Sequence, residues 1–302
     1  MSVKGTVKYA MYKMLPFDIY LKAMYRRYVG GKLNINNPKR FSEKIYWLKK
    51  YNPKNQLALM QEIYDKYSAR QYVSKKIGEG HSPRLYGVYE RAEDIDFSVF
   101  PEKYVLKVSQ SNGFNIIIDG SISLSQEEIV AQLSKWLKLA RDKALIEKRM
   151  KEEAYYFNGK AVILCEEYLE DENGVAAMDT DFYCFNGEPL FHEVYFDYIV
   201  DGKPNPEGCV KNIYRLDGTF IPVSITKKID GSKARPEYKN FDQMVEIARA
   251  LAQDFVFVRV DLYNVNGKIY VGELTPIPSG GNIVIDPIEY DYQWGEELHL
   301  PE

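Results

Sequence analysis

The sequence predicts an α+β fold with antiparallel sheets, on three observations. Asn-Gly dipeptides between short apolar runs mark hairpins, stretches with apolar residues at helical spacing stand apart from them, and 302 residues suffice for two lobes of roughly 150 residues each. A hydrophobic content of 45% is enough to bury a large core.

Taken in chain order, residues 8–30 carry Phe17, Ile19, Tyr20, Met24 and Tyr28 at helical spacing, and residues 41–77 carry Ile45, Leu48, Leu57, Met60 and Ile63. Pro38 followed by Ser42 and Lys44 reads as a helix start. Tyr104–Val108 and Phe114–Ile118 are apolar runs around the polar stretch Ser109-Gln110-Ser111-Asn112-Gly113, a strand, loop and strand. Ser125 begins S-Q-E-E, a capping box closed by Glu128, and opens a helix that runs to about Met150. Ala161–Tyr168 reads as a strand. Phe182–Phe185 and Pro189–Tyr195 flank Asn186-Gly187 as a hairpin; Asp217-Gly218 marks a turn, and Asn266-Gly267 joins Val256–Tyr263 to Lys268–Leu274. Phe241–Asp254 is a helix whose Met244, Ile247, Ala248 and Leu251 share a face.

Composition narrows the function classes. A net charge of −3 gives no footprint for nucleic acid, no apolar run reaches the roughly 18 residues of a membrane span, and the N-terminus has no signal-peptide pattern, so a cytoplasmic protein is expected. Cys165, Cys184 and Cys209 are too scattered for a disulfide framework or a zinc site and read as buried thiols. The first 50 residues are basic and rich in Tyr (Lys13, Lys22, Arg26, Arg27, Lys49 and Lys50 among Tyr9, Tyr12, Tyr20, Tyr25 and Tyr28). That face suits peripheral contact with a membrane-linked glycan; an ordinary helical surface with Tyr packed inward explains it as well.

Three constellations point to chemistry. Asp261 lies in the apolar run Val256–Tyr263, where an ionised carboxylate is costly unless paired or metal-bound, and Glu273 lies in the partner run. Their twelve-residue separation preserves parity, which puts both on one face as a site for a hard cation such as Mg²⁺; an Arg259/Lys268 salt-bridge hairpin is the plainer alternative. Lys107 ends a strand before a small polar loop whose amides suit polyphosphate, although the loop matches no standard phosphate motif. Glu166-Glu167-Tyr168-Leu169-Glu170 follows the strand at 161–164 and, alone, reads as a solvated turn.

In order along residues 35–301, Asn37–Lys44 before Trp47-Leu48-Lys49, Asp65-Lys66-Tyr67 with Arg70, Tyr104–Asn115, Glu166–Leu169, Phe182–Glu188, Phe257–Tyr263 and Gly272–Thr275 together resemble the ATP-grasp superfamily, in its TupA-like branch from teichuronopeptide biosynthesis. The resemblance implies an ATP-grasp fold of two α+β lobes clasping ATP: a helical region at 1–80, a small lobe at 81–170 and a large lobe at 171–302. It implies that Lys66 and Lys107 contact phosphates, that Ser109, Gln110, Ser111, Asn112 and Gly113 form the loop over them, and that Glu166, Glu167, Tyr168 and Leu169 form the interlobe hinge, with the backbone of Glu167 and Leu169 on the adenine edge. It further implies Asp261 and Glu273 as Mg²⁺ carboxylates, Thr275 where many members have Asn, and Arg259 or Arg215 as the clamp on a substrate carboxylate.

The chain departs from the branch in two places. The loop usually resembling N-H-G-S-G is Ser109–Gly113, and a D-Y-K is replaced by Asp179-Thr180-Asp181, which removes a positive charge. The function implied is an ATP- and Mg²⁺-dependent ligase joining a small carboxylate to an amine on a sugar or polysaccharide, through an acyl phosphate, with Asn282 lining the acceptor side. The competing readings are a glycosyltransferase using Asp179-Thr180-Asp181 as a D-x-D pair, and a non-catalytic nucleotide- or glycan-binding module.

Overall fold

A computed structural model describes residues 16–51, 54–110, 113–121, 124–150, 161–197, 199–200, 203–205 and 207–301. Ser111 and Asn112 of the expected phosphate loop lie outside the described residues, as do Tyr9, Tyr12 and Lys13. The helices are α1 (Phe17–Tyr28), α2 (Phe41–Tyr51), α3 (Lys54–Tyr64), α4 (Lys66–Ile77), α5 (Gln126–Met150), α6 (Phe241–Ala252) and α7 (Ile288–Glu297). The strands are β1 (Leu85–Tyr89), β2 (Tyr104–Val108), β3 (Asn115–Ile118), β4 (Ile163–Glu167), β5 (Asp179–Phe185), β6 (Glu188–Phe196), β7 (Ile199–Val200), β8 (Lys203–Pro204), β9 (Val210–Arg215), β10 (Phe220–Ile221), β11 (Ser224–Ile225), β12 (Phe257–Val265), β13 (Lys268–Thr275) and β14 (Ile285–Asp286).

Two antiparallel sheets carry the molecule. The smaller has the order β1-β4-β2-β3, and the larger runs β10-β9-β6-β5-β12-β13. Turn chemistry sets the hairpins where the sequence predicts them: Asn186 and Gly187 hold φ of 50° and 89°, and Asn266 and Gly267 hold 54° and 93°, the left-handed pair that a two-residue turn demands. The capping box of α5 also forms, with Glu128 N–H donating to Ser125 Oγ at 3.2 Å and Ser125 N–H to the Glu128 carboxylate at 2.8 Å. α5 then lays Ile129, Leu133, Leu137 and Ala140 onto the smaller sheet, making a core with Leu106, Ile163 and Cys165.

The helical spacing at 41–77 resolves into three helices. Asp65 ends the second and caps the third, because its carboxylate accepts the amides of Tyr67 (2.9 Å) and Ser68 (3.2 Å). These helices do not form a region of their own. Phe41, Ile45, Leu48, Met60, Ile63, Tyr72 and Val73 join the core of the larger sheet, with Phe257, Phe185 and Trp294. α1, by contrast, makes a cluster of its own with Leu33, Ile35 and Tyr46. Tyr20 and Tyr25 of that cluster are fully buried while Tyr28 is exposed, so the Tyr of α1 chiefly pack inward. All three cysteines are buried and free, and among the described residues no helix is long and apolar enough to cross a membrane.

α6 covers one face of the larger sheet with Met244, Ala248 and Leu251. Beside it, His192 is fully buried among Phe182 (5.6 Å between ring centroids), Tyr214 (5.7 Å) and Phe241 (4.9 Å), and neither ring nitrogen has a hydrogen-bond partner. Burial, with Arg235 nearby, pushes its pKa down from 6.5 to about 3. The folded state then refuses a proton that the unfolded chain accepts, so stability is lost as pH falls from 6.5 towards 3. His192→Phe, which suits this aromatic box, is expected to remove about 2 kcal/mol of acid destabilisation at pH 5 while changing little at pH 7.5, by urea unfolding at both.

Candidate functional site

A cleft opens between the two sheets. α4 forms one wall with Lys66 and Arg70, the smaller sheet contributes Lys107 and Glu166, and β13 contributes Gly272 and Glu273. Residues from distant parts of the chain thus meet, with Glu166 between Lys107 and Arg70 and Glu273 near Lys66.

On the smaller sheet, Lys107 and Glu166 sit on neighbouring strands. Glu166, 5% exposed, holds Lys107 Nζ at 2.9 Å with one oxygen and Arg70 Nη1 at 2.9 Å with the other, while Arg70 Nη2 donates to the Pro83 carbonyl at 2.6 Å. Sequence reading places Glu166 at the start of the hinge; its side chain is the counter-ion of both cations. Removing a buried partner leaves charge uncompensated. Glu166→Gln is therefore expected to cost about 2 kcal/mol, and, with Lys107 and Arg70 released, added triphosphate is expected to raise the melting temperature of the variant more than that of the wild type in thermal unfolding.

The loop after Lys107 is anchored at its base. Ser109 Oγ and Gln110 Nε2 donate to Asp65 Oδ2 at 2.8 and 2.9 Å, and Lys66 N–H donates to the Ser109 carbonyl at 3.0 Å. Ser109 and Gln110 are buried, and Gly113 at the far end takes φ of 76°. Asp65, given no role from sequence, couples loop and α4. In the hinge, Glu167 N–H donates to the Arg84 carbonyl (2.8 Å) and the Leu169 carbonyl accepts Ala177 N–H (3.0 Å); Tyr168 is partly buried beside Lys103.

The carboxylates expected on one face are there, for a different reason. In the hairpin closed by Asn266-Gly267, Val265 faces Lys268 and Leu262 faces Val271; an unbroken register would put Gly272 opposite Asp261 and turn Glu273 to the other face. A bulge at Gly272 restores the pairing of Asp261 with Glu273. Glycine is needed there, because a Cβ would come within 2.8 Å of the Tyr263 ring.

The row extends further than sequence reading finds. Glu193 is in register with Asp181, Asp181 with Asp261, and Asp261 with Glu273, so four strands align four carboxylates on one face. Exposure rises along it, from 0% at Glu193 through 1% at Asp181 and 5% at Asp261 to a Glu273 side chain 38% exposed in the cleft. Lys211 Nζ meets Glu193 at 2.8 Å, Arg259 sits between Asp181 and Asp261, and Lys66 Nζ lies 3.7 Å from Glu273. Burial drives the Glu193 and Asp261 pKa values up against these cations, and Asp179, beside the row, is pushed to about 7 by burial and by Asp181. Glu193 and Lys211 lack a sequence signal, since only cross-strand register brings them in.

Among the described residues no cluster of three or more His, Cys, Asp or Glu is arranged to hold a metal by itself. Asp261 and Glu273 supply two hard oxygen donors, which fits Mg²⁺ completed by phosphate and water rather than an all-protein cage. Thr275 stands opposite Arg259, its Oγ1 3.4 Å from Arg259 Nη2. Arg215 is exposed at the end of β9, and Asn282 accepts the Tyr46 hydroxyl at 2.8 Å.

Two antiparallel sheets flank a cleft where Lys66, Arg70 and Lys107 meet Glu166 and Glu273, the arrangement of an ATP-grasp fold. The chain belongs to the TupA-like ATP-grasp family, whose sequence model matches residues 43–299. No curated protein matches it. Solved structures similar in fold include D-alanine–D-alanine ligase from Bacillus anthracis (13% identity, 72% of this chain and 57% of that one, TM-score 0.42). Others are the same ligase from Helicobacter pylori (13%, 87% and 68%, 0.43) and phosphoribosylamine–glycine ligase from Thermotoga maritima (15%, 77% and 54%, 0.39). The chain thus spans little more than half the length of the first and third of these.

Proposed function

We propose that the protein is an ATP- and Mg²⁺-dependent carboxylate–amine ligase that works through an acyl phosphate and joins a small carboxylate to an amine on a sugar during cell-surface polysaccharide assembly. The observation that carries the ligase reading is the convergence of Lys66, Lys107, Arg70 and Glu273 on one cleft, with Asp261 in register with Glu273 on the neighbouring strand. Phosphoryl transfer to a carboxylate needs positioning and charge neutralisation rather than covalent help from the protein. Lys107 and Lys66 hold phosphate oxygens, and the Glu167 carbonyl and Leu169 amide take the adenine edge; Arg259, engaged by Asp261 and Asp181, sits behind the metal carboxylates. Asp261 and Glu273 would hold Mg²⁺, which would supply neutralisation of the charge that develops during phosphoryl transfer. The polysaccharide role and the sugar acceptor rest on the family resemblance.

A nucleotide-sugar transferase would use Asp179 and Asp181 as its metal pair. Asp181 is 1% exposed and already holds the Tyr195 hydroxyl at 3.0 Å, with Arg259 beside it, which disfavours that use. Calorimetric titration of ATP with Mg²⁺, followed by ADP release with amino acids or uronic acids as carboxylates and amino sugars as acceptors, tests the ligase reading. Carboxylate-dependent ADP release supports it; release of nucleoside diphosphate from a nucleotide sugar, or no response to ATP, overturns it.

A further inference from the structure

Arg259 occupies the carboxylate assigned to the metal. Its Nε donates to Asp261 Oδ1 at 2.7 Å and its Nη2 to Oδ2 at 2.5 Å, so both oxygens are engaged by one guanidinium. A dication needs one of those oxygens, and a guanidinium pushed off it in a largely buried site needs another anion. Asp181 is that anion. It faces Asp261 in register on the next strand, its Oδ2 lies 3.5 Å from Arg259 Nε, and its Oδ1 is buried without a hydrogen-bond partner. Tyr195 holds Oδ2 at 3.0 Å and is itself held by Lys211 at 2.6 Å, which steadies the Asp181 side chain.

We propose that Asp181 is a positioning residue for the metal site: it receives the Arg259 guanidinium when a divalent cation takes Asp261, so that one buried ion pair is exchanged for another. The inference rests on the assignment of Asp261 and Glu273 as the cation carboxylates. Neighbouring strands are about 4.8 Å apart, a distance the guanidinium spans by side-chain rotation with the backbone still. The orphan Oδ1 of Asp181 is the vacant acceptor, and without it the cation would compete with Arg259 for the same oxygens.

The test uses Mn²⁺ with a non-hydrolysable ATP analogue, its affinity read by electron paramagnetic resonance, on wild type, Asp181→Asn, Arg259→Gln and the double variant, each checked for folding by circular dichroism. Asp181→Asn is expected to weaken Mn²⁺ binding about tenfold when Arg259 is present and less than about twofold when Arg259 is Gln. Equal weakening in both backgrounds is the signature of a fixed through-space charge and overturns the proposal. Should Arg259→Gln fail to fold, Tyr195→Phe decides: it frees Asp181 Oδ2 without altering any charge, and is expected to tighten Mn²⁺ binding about threefold, whereas no change or weakening sinks the hand-over. Absence of Mn²⁺-nucleotide binding by the wild type refutes the metal assignment itself, a separate failure.

Discussion

Asp261→Asn combined with Glu273→Gln is expected to abolish Mg²⁺-dependent ATP binding, with the apparent affinity falling at least about a hundredfold in calorimetry while the far-ultraviolet circular dichroism is unchanged. The loss follows from the donor set. Both replacements keep shape but swap a charged oxygen pair for an amide, and a dication with only two protein carboxylates has no others to fall back on. The fold should survive. Arg259 keeps Asp181 as its anion, and burial has already driven the Asp261 pKa up, so removing that charge relieves desolvation as it loses an ion pair. Retained Mg²⁺-dependent affinity in the double variant would place the cation elsewhere.

Gly295→Ala is expected to destabilise the protein by about 3 kcal/mol, seen as a lower midpoint in urea at unchanged slope. Gly295 lies in α7 where that helix crosses the entry to α2, and a Cβ there would stand 2.0 Å from the Lys39 carbonyl oxygen. The obstacle is backbone and has no rotamer to escape into. Nor can the helices easily part. Ser42 donates to Asp291 from its amide (2.8 Å) and hydroxyl (2.6 Å), and Phe41 packs edge-on to Trp294 at 6.4 Å. An Ala variant as stable as wild type would mean that this helix pair is looser than its contacts imply.

Both variants probe features with different legibility in the sequence. Asp261 was conspicuous as an acid among Val256–Tyr263, and Glu273 stood in the partner strand. Parity alone does not bring them together, because a regular two-residue hairpin puts residues twelve apart here on opposite faces, and the bulge at Gly272 restores the shared face. α7 opens after Asp286-Pro287 with Glu289 and Asp291 in its first turn, but nothing local in the sequence shows that Gly295 meets the Lys39 backbone.

What the sequence by itself determined is local. Asn186-Gly187 and Asn266-Gly267 specify their turns through left-handed backbone angles, Ser125 with Glu128 starts α5, and the apolar stripe of α6 chooses its buried face; each signal acts within a few residues. What only the tertiary structure decided is register and juxtaposition: the row from Glu193 to Glu273, the seat of Arg259 between Asp181 and Asp261, Glu166 joining Arg70 to Lys107, and α2 to α4 entering the large core. The reason is physical. Those neighbours are tens to hundreds of residues apart, and their meeting is set by the sum of many packing and strand-pairing energies rather than by any short pattern that propensity can read.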